Sequence, residues 1–542
     1  MSLTKVSYSM ITGAPVNVKD FGAVGNFNPS TGSGTDDRAA IQAAFDYAKT
    51  IVGGCVVIFP QGSYYLGTND SVSTFQIMLG SLTNPNDATN VVVSGYGASL
   101  YGGNASAIFG VWNTNNCVVQ GLKIVGYAGG PYDSSRQYSH AIDSRFNTFF
   151  TIQNCYITNF LGDGIYVNGP SQHVKILDNT IKKRYGNGVL SSAGGTASRE
   201  CVATVNAYDV LLEGNQFIGT IDFENNVATE YLTSCSVIGN NFVSGHVTPQ
   251  STVGTAYWYD EPVAVTGGTT IIQRIQFSGP GFATAAQKVP LLVVGNRFEY
   301  GTIFFNSNNY KVDLRNNHFD AGEIIVGDTS GSNDNAFYRI ENNTVDAPIG
   351  SNTYAIVLGG NVYNSYFTNN VCKIDSGYLI ETGGTSGDKG RNVFMNNCNM
   401  SATAAGCIAI TQADTSVYSN NWSYNSAQTV QTSKSKAQET LNQSTGSWPT
   451  ITVTSAAQTI SYENLGSDTF ILAQTGAGTL GRIDNLPEGS ELTINFGAAS
   501  VTIVNGTYIK LKGGVNAVAT DAYSVITLVS ISGILYEKCR NF

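Results

Sequence analysis

A short apolar strand, then Asn, one residue and another apolar residue recurs through the middle of this chain, and that repeat constrains the fold more than any other feature. It reads VKILDNTI, VLLEGNQF, CSVIGNNF, LLVVGNRF, KVDLRNNHF, YRIENNTV, YFTNNV and SVYSNNW, with Asn179, Asn215, Asn240, Asn296, Asn317, Asn343, Asn369 and Asn420 at the marked place. Asn154 in TIQNCYI begins the series, and Asn396 or Asn397 falls between the last two. With Asn396 the successive spacings are 25, 36, 25, 56, 21, 26, 26, 27 and 24 residues. Most are too short for a strand-helix-strand unit but fit one coil of three short strands in a stacked solenoid. Asn suits the role twice over: it tolerates the left-handed turn conformation, and stacked amides bond the coils above and below. The expected fold is all-β, a right-handed parallel β-helix. An array of β-sandwiches needs NG or DG hairpin signals in each unit, and these are sparse.

Two spacings are long. The excess between Asn179 and Asn215 falls in SSAGGTASRECVATVN, and the 56 residues between Asn240 and Asn296 are either two coils or one coil with a long excursion. Loops leaving a rigid scaffold are where binding residues concentrate.

Composition agrees with a strand-rich chain. Charged residues are 12% of 542, about half the usual quarter. Hydrophobic residues are 42%, enough for a core. The net charge is −10 and no Lys/Arg cluster neutralises phosphates, so no nucleic-acid partner is expected. The densest basic run, Lys182, Lys183 and Arg184, reads as a solvated turn. The nine Cys form no CxxC pair, which points to reduced, mostly buried thiols and away from zinc. The first residues lack the apolar core of a signal peptide, and no run reaches the ~18 apolar residues of a membrane span, so no membrane insertion is expected. No cofactor motif of the P-loop, EF-hand or GxSxG kind appears, and no metal site or cofactor is expected.

Before the coils, Thr35 or Asp36 caps a helix beginning near Asp37, with Ala40, Ile41, Ala44, Phe45 and Ala48 on one face. Such a helix covers the first open coil. The strings DFGAVG, GTDDRAAIQAAF and GGCVVIFPQGSY resemble the opening of the pectate-lyase-like β-helix superfamily, and look most like bacteriophage tailspikes and capsule depolymerases. The expected organisation is a short attachment peptide at 1–20, a cap at 21–88, the β-helix at 89–425, a linker at 426–446 and a C-terminal β-sandwich at 447–542. That last segment alternates with period two. It resembles C-terminal domains of phage spikes that trimerise the shaft or bind glycan.

The resemblance implies a virion tail protein, folded in the host bacterial cytoplasm, that acts on a bacterial surface polysaccharide. It implies a homotrimer that docks through its N-terminal peptide onto another tail protein or adaptor. Polygalacturonases share the fold, but of their NTD, GDD, GHG and RIK signatures only Gly162-Asp163-Gly164 and Gly245-His246 are echoed.

Aligning the strands after each Asn turn puts Ile165, Val167, Ile221, Phe223, Ile303 and Phe305 inward, and Tyr166, Asn168, Asp222, Glu224, Phe304 and Asn306 outward. Val189–Ser192 is taken as the coil between. Asp222 and Glu224 then stand side by side on an exposed strand face, ~6.6 Å apart at Cα. Glycoside hydrolysis needs such a pair, one protonated and one ionised, and crowding like charges raises one pKa. GTIDFENN also resembles a GIDxE segment of phage β-helix proteins. The plainer readings are a soluble outer strand or a cation site.

Tyr166, with Arg199 and Glu200 from the first long insertion and His246, Tyr257, Trp258, Asp260 and Arg274 from the second, is expected to bind substrate. Aromatic faces there stack on sugars while polar groups bond hydroxyls. Asp260 and Glu261 form a rival carboxylate pair. A lyase would instead use His246 or Tyr257 as base, with Arg199 or Arg274 on a uronate carboxylate; a non-catalytic adhesin is the third reading. His140 with Asp143, and Asp163, read as turn residues before they read as catalysts. Leu190, Phe304, Ile325, Val357 and Ile380, set at the register of Tyr166, form an outward apolar stripe of the kind that marks subunit interfaces.

Overall fold

The computed structural model describes residues 13–67, 75–102, 107–126, 138–183, 200–205, 207–224, 235–243, 273–278, 291–305, 309–327, 334–349, 353–359, 361–382, 389–410, 416–424, 430–432, 438–440, 443–444, 450–461, 469–474, 478–486, 488–497, 501–520 and 524–541. The chain forms two compact units, residues 1–328 with 333–335, and 329–332 with 336–542.

In the first unit each coil gives one short strand to each of three parallel sheets. The first full coil is Cys55–Ile58, Gly62–Tyr65 and Ile77–Gly80, with Val16–Asn17 paired in parallel ahead of it in the first sheet. Inward residues lie in register from coil to coil. In the first sheet they are Val93, Val119, Ile152, Ile176, Leu212, Val237, Val293 and Leu314, all fully buried. In the second sheet Phe217, Phe242, Phe298 and Phe319 stack ring on ring at 5.2, 4.4 and 4.6 Å. The third sheet runs inward through Ile142, Ile165, Val202, Ile221, Ile275, Ile303 and Ile324. β-Branched and aromatic side chains fill a half-buried pleated surface well, and parallel crossovers of this kind are right-handed.

The Asn repeat divides into two jobs held by adjacent residues. Gly121, Asn154, Asp178, Gly214, Gly239, Gly295 and Asn316 take the left-handed turn conformation, with φ between 53° and 69°. The residue after each of the later turns is a buried amide of a ladder. Asn215 donates from N and Nδ2 to Asn240 Oδ1 at 2.9 Å, and Asn240 repeats both bonds to Asn296 at 3.0 Å. Asn179 and Asn296 continue it to Asn215 and Asn317. The direct Asn179–Asn215 and Asn240–Asn296 bonds make each long spacing one coil with an excursion.

The cap forms as the sequence suggests, with one change at its start. The helix spans Arg38–Lys49 and buries Ile41, Ala44, Phe45 and Ala48. Asp36 Oδ1 accepts from Arg38 N at 3.0 Å, while Asp37, at the N-cap position, accepts from Val24 and Gly25 of DFGAVG instead. Phe45 stacks on Phe109 of the coils at 5.4 Å. Phe45→Ala is expected to cost ~3–5 kcal/mol in urea unfolding; a change below ~1 kcal/mol would show that the helix does not secure the first coils.

The second unit repeats the plan. Asn343, Asn370, Asn397 and Asn421 form its amide ladder, each following a left-handed Asn at 342, 369, 396 or 420. Phe367, Phe394 and Tyr418 stack at 4.8 Å. Within the stretch read as a linker, Val430–Thr432, Gln438–Thr440 and Gln443–Ser444 pair in parallel with the preceding coil. The C-terminal segment makes two sheets around Leu472, Leu480, Leu492, Ile494, Ile503, Ile526 and Leu528, with both parallel and antiparallel pairs.

The outward apolar stripe is shorter than expected. Phe304 pairs with Ile325, both half-buried, but Ile380 is fully buried opposite Ile356, and Val357 stands opposite Glu381. Leu190 lies outside the described residues. All nine cysteines are free thiols, seven of them buried. Among the described residues no helix is long and apolar enough to cross a membrane.

Candidate active site

The third sheet of the first unit carries the candidate residues on its outward face. One outward row runs Gly110, Asp143, Tyr166, Ala203, Asp222, Gln276, Phe304. Beside it Trp112, Arg145 and Asn168 are in register, as are Val205 and Glu224. Ile165 and Ile221 hold their expected inward places, but the coil between them is Val202–Val205. Val189–Ser192 lies outside the described residues.

Asp222 and Glu224 share one strand face as expected, but that face is not open. Asp222 is only 7% exposed and Ala203 fully buried, while Glu224 is half-buried. Strand alternation fixes a side chain's direction, not its access to water, which depends on what the neighbouring coils place around it. Among the described residues no third His, Cys, Asp or Glu joins the pair at metal-holding distance.

Tyr166 anchors a cluster two coils away. Arg145 grips Asp143 with both ends of its guanidinium at 2.7 and 2.9 Å, and Trp112 Nε1 donates to the same carboxylate at 3.2 Å. The guanidinium lies 4.6 Å from the Trp112 ring and 5.1 Å from the Tyr166 ring. Burial works against the charge on Arg145, but the bonds and charge of Asp143 outweigh it and hold the group above its ordinary range. Burial pushes the Tyr166 hydroxyl up to about 12, with Arg145 opposing and Asp163, Asp143 and Glu224 adding to the rise. Tyr166 is thus a neutral hydroxyl at ordinary pH, hydrogen-bonded by Asn168 Nδ2 at 2.7 Å, and a poor base.

His140, Asp163 and Glu200 form the corner leading into these strands. Asp163 N donates to His140 Nδ1 at 3.0 Å, and Glu200 N donates to Asp163 Oδ1 at 2.8 Å. His140 and Asp163 are therefore turn residues, as expected, and His140 partners Asp163, not Asp143. The His140 ring lies flat on Tyr166 at 4.4 Å. Glu200, expected to bind substrate, directs its carboxylate at Lys183 Nζ, 3.7 Å away. Lys183, whose side chain is 8% exposed, is not the solvated residue the sequence suggests.

Arg274 sits on the next strand, opposite Thr220; its side chain is outside the described residues. Arg199, His246, Tyr257, Trp258 and Asp260 lie wholly outside them, with Glu261. Sequence reasoning missed Trp112 and Arg145. The signal was present: IDSR has the same outward pairing of positions as IYVN and IDFE.

No family model and no curated protein matches the chain. Solved structures similar to it include ORF18 of Geobacillus virus E2, with 13% identity and TM-score 0.37, covering 67% of this chain and 61% of that one, under two thirds of its length. The A-module of the Azotobacter vinelandii mannuronan C-5 epimerase AlgE4 is similar at 13% identity and TM-score 0.38, covering 79% of this chain and 100% of that one. Endo-xylogalacturonan hydrolase from Aspergillus tubingensis is similar at 10% identity and TM-score 0.37, covering 78% and 99%. By its own strand register and amide ladders, the chain is a right-handed parallel β-helix protein with a C-terminal β-sandwich.

Proposed function

We propose that the protein is a phage tailspike that binds a bacterial surface polysaccharide, capsule or O-antigen, and depolymerises it by glycoside hydrolysis. Asp222 and Glu224 act as acid and base, or acid and nucleophile. The observation that carries this reading is their unequal setting on one strand face, Asp222 nearly enclosed and Glu224 half-open. Two carboxyl groups in different surroundings are what the two roles require. Tyr166, in the row of Asp222, and Asn168, in the row beside it, offer hydroxyl and amide groups to sugar.

Incubating the intact protein with the polysaccharide of a susceptible host is expected to shorten the polymer and release new reducing ends. An unsaturated uronate product with ultraviolet absorbance would make it a lyase. Stable binding with no change in polymer size would make it an adhesin. The same reading gives three chains per particle, and light scattering at the mass of one chain would contradict that.

A further inference from the structure

Phe146 and Phe149 both hold the left-handed conformation, at φ 58° and 54°, and both are exposed, at 44% and 53%. Bulky side chains are strained there. Neighbouring coils fill the same two positions with residues that suit them better or are polar: Asn113 and Gly169 beside Phe146, Asn116, His173 and Asp209 beside Phe149. This one coil thus carries two strained, exposed aromatic rings; Phe337 in the second unit, at φ 60° and 52% exposed, is a single ring of the same kind. Backbone strain of this kind collects at ligand sites.

The rings are held in place. Phe146 meets the Trp112 ring edge-on at 6.2 Å and lies over Gly169, where a Cβ would come within 2.8 Å of it. Phe149 stacks flat on His173 at 4.5 Å, and His173 Nδ1 lies 2.7 Å from Asp209 Oδ2. The His173–Asp209 pair beside Phe149 is exposed, at 44% and 56%, while the Asp143–Arg145 pair next to Trp112 is mostly buried. A dry protein contact would have to bury the exposed His173–Asp209 pair; a sugar lays its CH face on the rings and bonds its hydroxyls to that pair.

We infer that Trp112, Phe146, Phe149 and His173 form a carbohydrate-binding strip for the polysaccharide. It rests on the reading above that the substrate is a polysaccharide. Phe146 and Phe149 lie on the coil of Arg145, three coils or ~14 Å from that of Glu224, with Trp112 one coil farther and His173 one coil nearer, so one glycan running across the strands reaches both.

The test uses the full-length protein and an array of purified bacterial capsular and O-antigen polysaccharides. Phe146→Asn and Phe149→Asn fit the left-handed backbone. Each is expected to leave the unfolding temperature unchanged or higher and to lower apparent affinity tenfold or more. Affinity equal to the parent chain in both variants overturns the inference, as does an array on which the parent chain binds nothing. A lower native mass in these variants with affinity kept makes the strip a subunit contact and also overturns it. If Asp222→Asn and Glu224→Gln still cut the polymer while the Phe variants lose binding, the catalytic assignment fails and the strip stands.

Discussion

Asp222→Asn and Glu224→Gln are each expected to lower polysaccharide cleavage by about a thousandfold, because each removes a group that must give or take a proton in the transition state. Both substitutions keep the size and shape of the side chain and leave it polar, so the coils should stay stacked and the unfolding temperature close to the parent value. Binding to uncut polymer should survive, since the strip at Phe146 and Phe149 is three coils away. Loss of cleavage with retained binding separates a chemical role from a structural one. Full activity in both variants would move the chemistry to Asp260 and Glu261 or to a site completed by a second chain.

Asn240→Ala should damage the fold as much as Phe45→Ala, by a different route. The side chain accepts from Asn215 N and Nδ2 and donates to Leu212 O and Asn296 Oδ1, with bonds between 2.9 and 3.0 Å. All of this lies where water cannot replace it, and a buried polar group left unpaired costs ~1–3 kcal/mol. Several are orphaned at once, so a loss of ~3–5 kcal/mol is expected in urea unfolding. The left-handed column offers the control. Asn154 is exposed at φ 53°, and Asn154→Gly should change stability by less than about 0.5 kcal/mol. Equal effects at both positions would mean that the turn, not the amide ladder, ties the coils together.

The Asn repeat made the coil legible because its spacing measures one circuit of the chain. It could not show that two adjacent residues divide the work: Asn154, Asn369, Asn396 and Asn420 are turn residues, while Asn179, Asn215 and Asn240 are ladder residues. Ile165, Ile221 and Ile303 were placed correctly because strand alternation fixes direction. The intervening coil was missed because Val202, Ala203, Thr204 and Val205 are all of small to medium size and show little alternation. Enclosure of Asp222 was invisible for a different reason. It depends on neighbours from other coils, and these are known only once the registers are. The same holds for His140 and Asp163, which are 23 residues apart yet hydrogen-bonded. Only the i, i+2 pair of Asp143 and Arg145 was within reach of sequence alone.

If Asp222 and Glu224 on the third sheet cut the polysaccharide, the scissile bond must lie between them. The most direct test is a crystal structure of the full-length Asp222→Asn protein with an oligosaccharide of the host polymer. A glycosidic oxygen is expected within hydrogen-bonding reach of residue 222 or 224, with the chain extending over Trp112, Phe146 and Phe149. A well-ordered oligosaccharide bound on another sheet or on the C-terminal sandwich, with the third-sheet face empty, would contradict it.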